Sequence, residues 1–439
     1  MTDNTRRFGF ETRQLHAGFT ADNDFHAAAP PIYQTVSYVF PDFETARAIN
    51  ALEDLSYDYT RIGNPTVEFL ENRIADLEGG TAAVGLASGQ AATANTILNI
   101  THAGDNIVAS RTVYGGSYNL FANTLPRHGV TGKLVDAEDP GNIEAAIDEH
   151  TKAVFIETIG NPDINILDIE RIAEIAHAAG VPLILDNTFA TPYLFQPFAH
   201  GVDISIHSAT KFIGGHGTTI GGVAVDGGTF DWSASGKFPD FTEPDPSYGG
   251  IVHWEKWGDF EDLGNVAFAF KLRLHYVRTL GAAMSPFNAF LLIQGLETLS
   301  LRIQRQVANA QAVAEFLQQH PAVAWVSYPG LSDSRYHELA QRYLPRGAGS
   351  VIGFGIKGGK QAAVTFIESL QVFTFLANVG DSRSLVLHPA TVTHSQLTEE
   401  QQIAAGVRPE QIRLSIGTES IDDLLWDLGQ AFEQAQTQD

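Results

Sequence analysis

A lysine that follows a buried strand, set among hydroxyls and glycines, is suited to imine chemistry. The run His207-Ser208-Ala209-Thr210-Lys211, with glycines at 214, 215, 217, 221 and 222, has that arrangement, and an apolar stretch at 202–206 leads into it. Lys211 could hold an aldehyde covalently while its neighbours hold a phosphate. Upstream, a second apolar run, 181–185, ends on Asp186. A carboxylate at that point could sit beside a pyridine nitrogen, keep it protonated and so let the ring accept electrons.

Together these two residues make pyridoxal 5′-phosphate (PLP) the expected cofactor. Taken singly they say less. An Asp at a strand end is usually a turn or helix-cap residue, and Lys-Phe after Ser-Ala-Thr usually belongs to a solvated loop.

The elements around them have a regular rhythm. An apolar strand at 82–87 runs into the turn Ser88-Gly89-Gln90 and an alanine-rich helix at 91–100. Such a turn can present free amides to a phosphate at a helix N-terminus, although it can equally be a plain strand-to-helix turn. Strands follow at 106–110, before Tyr114-Gly115-Gly116-Ser117; at 133–135; and at 153–157, before Gly160-Asn161-Pro162. A helix at 168–179 is closed by Gly180. This alternation predicts an α/β domain with a mostly parallel sheet and a ligand site at the carboxyl ends of the strands. Ser88, Tyr114, Asn161, Asp186, Ser208 and Lys211 all fall at such ends. Tyr114 could equally be a loop aromatic packing on Tyr118 or Phe121.

Further segments frame this domain. Residues 1–63 carry aromatics and prolines without sustained periodicity and read as an extended arm. At Asn64-Pro65 a capped helix begins, with Val67, Leu70, Ile74 and Leu77 at helical spacing and Gly79-Gly80 at its end. Residues 227–265 lose periodicity while collecting Gly, Pro, Ser, Asp and aromatics, which predicts an ordered surface excursion. Ser285-Pro286 opens a new helical region. Short strands at 323–328, 350–356 and 412–416 among helices then predict a smaller α+β domain. The expected division is an arm at 1–63, an α/β domain at 64–285 and a C-terminal domain at 286–439.

Composition narrows the partners. A length of 439 residues exceeds what one core usually supports, and 44% hydrophobic residues supply more than one. With 27 basic and 51 acidic residues the net charge is −24, which argues against nucleic acid or an anionic membrane. Anionic substrates must be met by locally placed arginines. The absence of cysteine excludes disulfides, thiolate metal sites and a cysteine nucleophile. His207, His216, His388 and His394 could suggest a metal, but without cysteine or a tight acidic cluster they read as hydrogen-bonded loop histidines, and no metal is expected. The start, MTDNTRRFGFETRQL, has no apolar core, and no run reaches membrane-spanning length. A cytoplasmic protein is the expectation.

LDNTFATP at 185–192 and SIHSATKFIGGHG at 205–217 resemble the PLP site of the cysteine and methionine metabolism family of fold-type I enzymes. The match runs from roughly Thr12 to the C-terminal helix. Within the family the chain most resembles the O-acetylhomoserine sulfhydrylase branch. It has the long 227–265 segment, Gly116 where the lyases can carry cysteine, and Asn378 where relatives often have serine.

The resemblance implies roles for individual residues. Ser88, Gly89 and Gln90 would cradle the cofactor phosphate with Ser208 and Thr210, and Tyr114 would stack on the pyridine face near Asn161. Tyr59 and Arg61 would reach into a neighbouring subunit and bind its PLP phosphate. Arg413, in VRPEQIRLSIGTES, would pair with the substrate α-carboxylate as a planar, two-pronged donor, with Asn378 nearby.

The implied reaction is γ-replacement: O-acetyl-L-homoserine plus sulfide or a small thiol gives homocysteine or methionine, plus acetate. It would run in a homotetramer of dimers that share active sites. A γ-lyase or cystathionine γ-synthase acting on methionine, cystathionine or O-succinylhomoserine would use the same Lys, Asp and Arg. A nucleotide-binding protein using GGHGTTIGG lacks the required strand–GxGxxG–helix context. A catalytically silent binding protein is opposed by the intact Lys211.

Overall fold

The computed structural model describes residues 7–20, 26–393, 395, 398–404 and 406–436. His394, the outer ends of the chain and residues 21–25 of the expected arm lie outside the described residues.

Seven short, apolar segments form the large sheet: β1 (Ala82–Leu86), β2 (Asn106–Ser110), β3 (Thr131–Val135), β4 (Thr151–Glu157), β5 (Leu183–Asp186), β6 (Ile204–His207) and β7 (Gly222–Asp226). Their order is β1-β7-β6-β5-β4-β2-β3. All run the same way except β7, which pairs antiparallel with both β6 and β1. Strands covered on both faces must be apolar at every position. Val154, Phe155, Ile156, Ile184 and Leu185 are accordingly fully buried. The β7 segment, GVAVD, was not anticipated among the glycines that precede it.

Two apolar cores lie against the sheet. One includes the helix Pro65–Glu78, started by Asn64, whose side chain accepts the Thr66 amide at 3.0 Å, and ended by Gly79 at φ +84°. Leu70, Ile74 and Leu77 are wholly buried, so this helix is a core element and more than half buried. The second core corrects the expectation for 227–265. That segment supplies Trp232, Phe238, Phe241 and Trp257, all at most 2% exposed, packed with Phe155, Ile184 and Ile204 of the sheet. Trp232 stacks on Phe241 at 4.3 Å. The excursion therefore covers one face of the sheet; its polar, glycine-rich turns serve to deliver aromatic rings inward.

The smaller sheet contains β8 (Val323–Ser327), β9 (Val351–Ile356), β10 (Thr374–Phe375), β11 (Leu385–Leu387) and β12 (Gln411–Ser415), in the order β10-β11-β12-β9-β8. It is antiparallel apart from the short β10–β11 pair. The helices Leu299–Gln319, Gly359–Ser369 and Ile421–Gln436 pack against it or one another, with Phe354, Phe366 and Phe432 in ring contact.

The N-terminal segment is only partly an extended arm. Phe10–His16 is a helix lying on its own chain: Phe10 packs edge-on to Tyr193 at 5.1 Å, and the Gln14 amide bonds Ser300. Farther along, Val36, Val39 and Phe43 are 63%, 96% and 87% exposed, so this stretch leaves apolar side chains uncovered.

Candidate active site

The carboxyl ends of β1, β4, β5 and β6 meet the amino-acid stretch around Asn378 and β12 at a cavity of about 340 Å³. Lys211 lies one turn beyond β6, its amide donating to the Ser208 carbonyl at 3.1 Å. Its amine donates to Asn378 Oδ1 at 2.6 Å. Burial, with the Arg413 charge adding to it, pushes the Lys211 amine below the usual lysine range, which favours the neutral, nucleophilic form.

The backbone around Lys211 is tied down on several sides. Thr210 Oγ1 donates to the Gly221 carbonyl at 3.1 Å and accepts the Gly221 amide at 3.0 Å. From the helix Leu299–Gln319, Arg302 donates to the carbonyls of Phe212 and Gly295 at 2.7 Å and of Ile213 at 3.2 Å. Gly215 sits at φ +68°, and a Cβ there would lie 2.1 Å from the Arg302 guanidinium. Ser382, near the second sheet, donates its hydroxyl to the Gly215 carbonyl at 2.7 Å.

Opposite this loop, the helix Gly89–Leu98 begins. Ser88 caps it, its hydroxyl accepting the Ala91 amide at 3.1 Å. The Gly89 and Gln90 amides, at the first two helical positions, have no carbonyl one turn back to receive them. The turn runs directly against the lysine loop: a Cβ on Gly89 would fall 2.5 Å from Ser208 Cβ and 2.7 Å from Ser208 Cα. The two pieces expected to share a phosphate are thus in contact.

Asp186 ends β5 in the same cavity. Its Oδ1 accepts the Thr188 amide at 3.0 Å, and Thr188 Oγ1 accepts the Ser208 amide at 2.8 Å. Burial pushes the Asp186 carboxyl up. Beside it on β4, in register, stands Glu157, 6% exposed, with Oε1 accepting the Tyr114 amide at 2.6 Å. Burial, and then Asp186, raise the Glu157 carboxyl well above its ordinary range. Glu157 and Thr188 were not singled out from sequence. Glu157 occupies the same kind of strand-end position as Asp186, which was the signal for it. Two desolvated carboxyls side by side make a place for a cation.

Arg413, on β12, reaches the cavity 7% exposed, donating to Asn161 Oδ1 at 3.2 Å and to the Asn378 carbonyl at 3.3 Å. Burial lowers it to about 10, so it stays cationic at neutral pH. Tyr114 lines the cavity half exposed. Of the residues singled out from sequence, Ser88, Gly89, Gln90, Tyr114, Asn161, Asp186, Ser208, Thr210, Lys211, Asn378 and Arg413 meet here. Tyr59 and Arg61 do not: the Arg61 guanidinium lies 5.2 Å over the Tyr59 ring, and neither residue lines the cavity. Nor does any residue of 227–265, so that segment does not narrow the cavity within one chain.

The histidines have other engagements. His216 Nδ1 is 2.7 Å from the Gly214 carbonyl, and His388 lies between Thr391 Oγ1 and the Pro409 carbonyl. His207 is no loop histidine. It ends β6, fully buried, and donates Nε2 to Glu78 at 2.7 Å. β6 is buried at every position, and that His207 is its last residue was not readable from sequence.

The groups present fit PLP. Free helix-start amides and hydroxyls suit a phosphate, paired buried carboxyls suit a protonated ring nitrogen, and an amine of lowered basicity suits an aldehyde.

A family model described as Cys/Met metabolism PLP-dependent enzyme matches residues 11–433. An O-acetyl-L-homoserine sulfhydrylase of Leptospira meyeri is 50% identical over 431 residues, covering 98% of this chain and 97% of that protein. A homocysteine synthase of Schizosaccharomyces pombe is 51% identical over 428 residues, covering 97% and 98%. Among solved structures, a Campylobacter jejuni protein assigned as an O-acetylhomoserine (thiol)-lyase, with a pyridoxyl-lysine phosphate, superimposes with a TM-score of 0.93 at 39% identity, covering 97% of this chain and 100% of that one.

Proposed function

Because the chain belongs to the Cys/Met metabolism PLP-dependent enzyme family, we propose that the cavity at the strand ends performs γ-replacement on an activated homoserine. The enzyme is a PLP-dependent transferase that converts O-acetyl-L-homoserine and sulfide to L-homocysteine and acetate. The observation that carries the assignment of residues is the convergence of Lys211, Asp186 and Arg413, from two sheets, on one cavity beside the Ser88–Gln90 turn.

PLP, when bound, supplies an aldehyde that captures amines and a ring that draws electrons from the captured amino acid's Cα. Ser88 and the Gly89 and Gln90 amides, with Ser208 and Thr210, hold its phosphate; Tyr114 covers one ring face. Asp186 holds the proton on the ring nitrogen. Arg413, steadied by Asn161, binds the substrate α-carboxylate and so fixes where Cα lies. Lys211 removes a proton from Cα and then one from Cβ, acetate departs from Cγ, and sulfide forms its bond to Cγ. The same amine returns protons to Cβ and Cα. Asn378 Oδ1, at 2.6 Å, holds the Lys211 amine ready in the free site.

Tyr59 and Arg61 act on a neighbouring subunit's cofactor phosphate, and the assembly is a cytoplasmic homotetramer of dimers. The uncovered Val36, Val39 and Phe43 support contact with another copy. Among the described residues no helix is long and apolar enough to cross a membrane.

The test supplies O-acetylhomoserine to purified holoenzyme with and without sulfide and assays homocysteine against 2-oxobutyrate. Sulfide-dependent homocysteine is expected. Dominant 2-oxobutyrate at saturating sulfide would reassign the protein to the lyases, and efficient cystathionine formation from added cysteine would reassign it to the cystathionine synthases. Repeating the assay with O-succinylhomoserine, and with methanethiol for sulfide, fixes leaving group and donor.

A further inference from the structure

Glu157 lines the cavity, yet no step above uses it. It ends β4 as a buried carboxyl in register with Asp186, and its Oε1 accepts the Tyr114 amide at 2.6 Å. Burying a carboxyl is costly unless it is bonded, and this bond shows what the carboxyl holds.

Tyr114 is the residue just before the short helix Gly115–Asn119, and its side chain makes no capping hydrogen bond there. An amide at a helix start has no carbonyl one turn back to receive it. Glu157 supplies the acceptor from across the sheet, because Tyr114 follows β2 and Glu157 ends β4, the strand that pairs with it. The rest of Tyr114 is less constrained. Its side chain is half exposed, and the ring lies over Gly116, where a Cβ would come within 2.5 Å of Cε1 and 3.1 Å of Cζ. Glycine at 116 leaves room for the ring and gives it no side chain to pack on. The direction of the ring is therefore set from its backbone, and Glu157 holds that backbone.

We propose that Glu157 is a positioning residue: by holding the Tyr114 amide it fixes the tyrosine ring over the cavity, where the ring covers one face of the bound cofactor. A carboxyl accepts an amide hydrogen whether ionised or protonated, so this role does not depend on the charge of Glu157. Asp186 and Glu157, adjacent and alike in type, then divide the work: one receives the ring nitrogen, the other places the ring's cover.

This rests on the cofactor assignment above and on the place given to Tyr114, and the test separates all three. Enzyme stripped with hydroxylamine is titrated with PLP by absorbance, with apoenzyme melting recorded alongside. A wild-type protein that binds no PLP refutes the cofactor assignment, and a Tyr114→Ala protein of wild-type affinity refutes the place of the ring. Glu157→Met keeps the bulk and removes the acceptor. It should raise the PLP dissociation constant about three- to tenfold, the worth of one aromatic stacking contact. Glu157→Gln keeps an acceptor oxygen without the charge and should stay within about twofold of wild type. In a Tyr114→Ala background Glu157→Met should add less than about twofold, because the ring it positions is gone. Equal losses in the Gln and Met variants would assign Glu157 a role through its charge and overturn the proposal. Equal losses with and without the Tyr114 ring would mark a structural role and overturn it too, as would a Glu157→Met protein of wild-type affinity. If Glu157→Met does not fold, Glu157→Asp, which keeps the carboxyl but draws it back by one methylene, is read in both backgrounds by the same outcomes.

Discussion

Gly89→Ala isolates the contact on which the phosphate site depends. The added methyl would sit 2.5 Å from Ser208 Cβ, 2.7 Å from Ser208 Cα and 2.8 Å from its Oγ. Carbon atoms rest at about 3.5–4.0 Å, so the turn and the lysine loop must part by roughly 1 Å or more. Ser208 cannot yield cheaply, because its amide is bonded to Thr188 and it directly follows β6, which lies inside the sheet. Overpacking of this kind costs about 1–3 kcal/mol. The cost can appear as lost apoenzyme stability, if the strained packing persists. It can instead appear as weakened cofactor binding, if the turn moves away and its amides no longer point at the phosphate. The second route corresponds to a roughly 5- to 150-fold rise in the PLP dissociation constant. Both quantities are measured on stripped enzyme, by thermal denaturation and by PLP titration. Gly429→Ala, in the helix Ile421–Gln436 with nothing within 4 Å of the new methyl, is the control and should leave both within error or slightly raise stability. A Gly89→Ala protein with wild-type melting and wild-type PLP affinity would refute the reasoning.

Other expectations follow from the same geometry. Asp186→Asn should leave the melting temperature near wild type yet slow exchange of the substrate α-proton about 10²- to 10³-fold, the usual effect of losing one preorganised charge contact; NMR in D₂O reads this, and wild-type exchange would discard the assignment. Arg61→Ala and Lys211→Ala subunits, each inactive alone, should recover activity when mixed into hybrids, since one intact site can then draw Arg61 and Lys211 from different chains; verified hybrids with no activity would argue against sharing. His177 bonds the buried Asp203 at 2.8 Å, and that bond first of all raises its pKa. A raised folded-state pKa stabilises fully below the unfolded value of about 6.5 and less as pH rises through the folded value. His177→Gln should therefore cost more melting temperature at pH 6 than at pH 9, and a gap that does not narrow with pH would contradict the pairing.

Much of the site was legible because parallel strands must be apolar along their whole length and must end in the residues that face the ligand. Asp186, Lys211 and the Ser88–Gln90 turn stand out by that contrast alone. Glu157 is at a strand end too, but its meaning lies in standing beside Asp186 on the neighbouring strand, and that order is set by contacts far apart in the chain. The β7 strand was hidden for a related reason: GVAVD follows a glycine run that reads as loop, and its place between β1 and β6 depends on both partners. In 227–265 the aromatics come from separate short turns, so no single period shows that Trp232 and Phe241 share one stack. Arg413 could be assigned a role only by resemblance, because its approach to Asn161 joins two sheets.

The ties from Arg302 and Ser382 to the loop carrying Lys211 make one rigid frame of the amine's anchor, the helix Leu299–Gln319 and the margin of the second sheet that bears Arg413. A catalytic amine that must visit several substrate atoms in turn then has only its own four-carbon tether to do so. Its itinerary is set by rotamers, and the carboxylate anchor gives the fixed origin from which each stop is measured. Selectivity for chain length would follow from that arrangement without any pocket wall: a substrate one methylene shorter or longer carries its leaving group off the arc the tether can sweep.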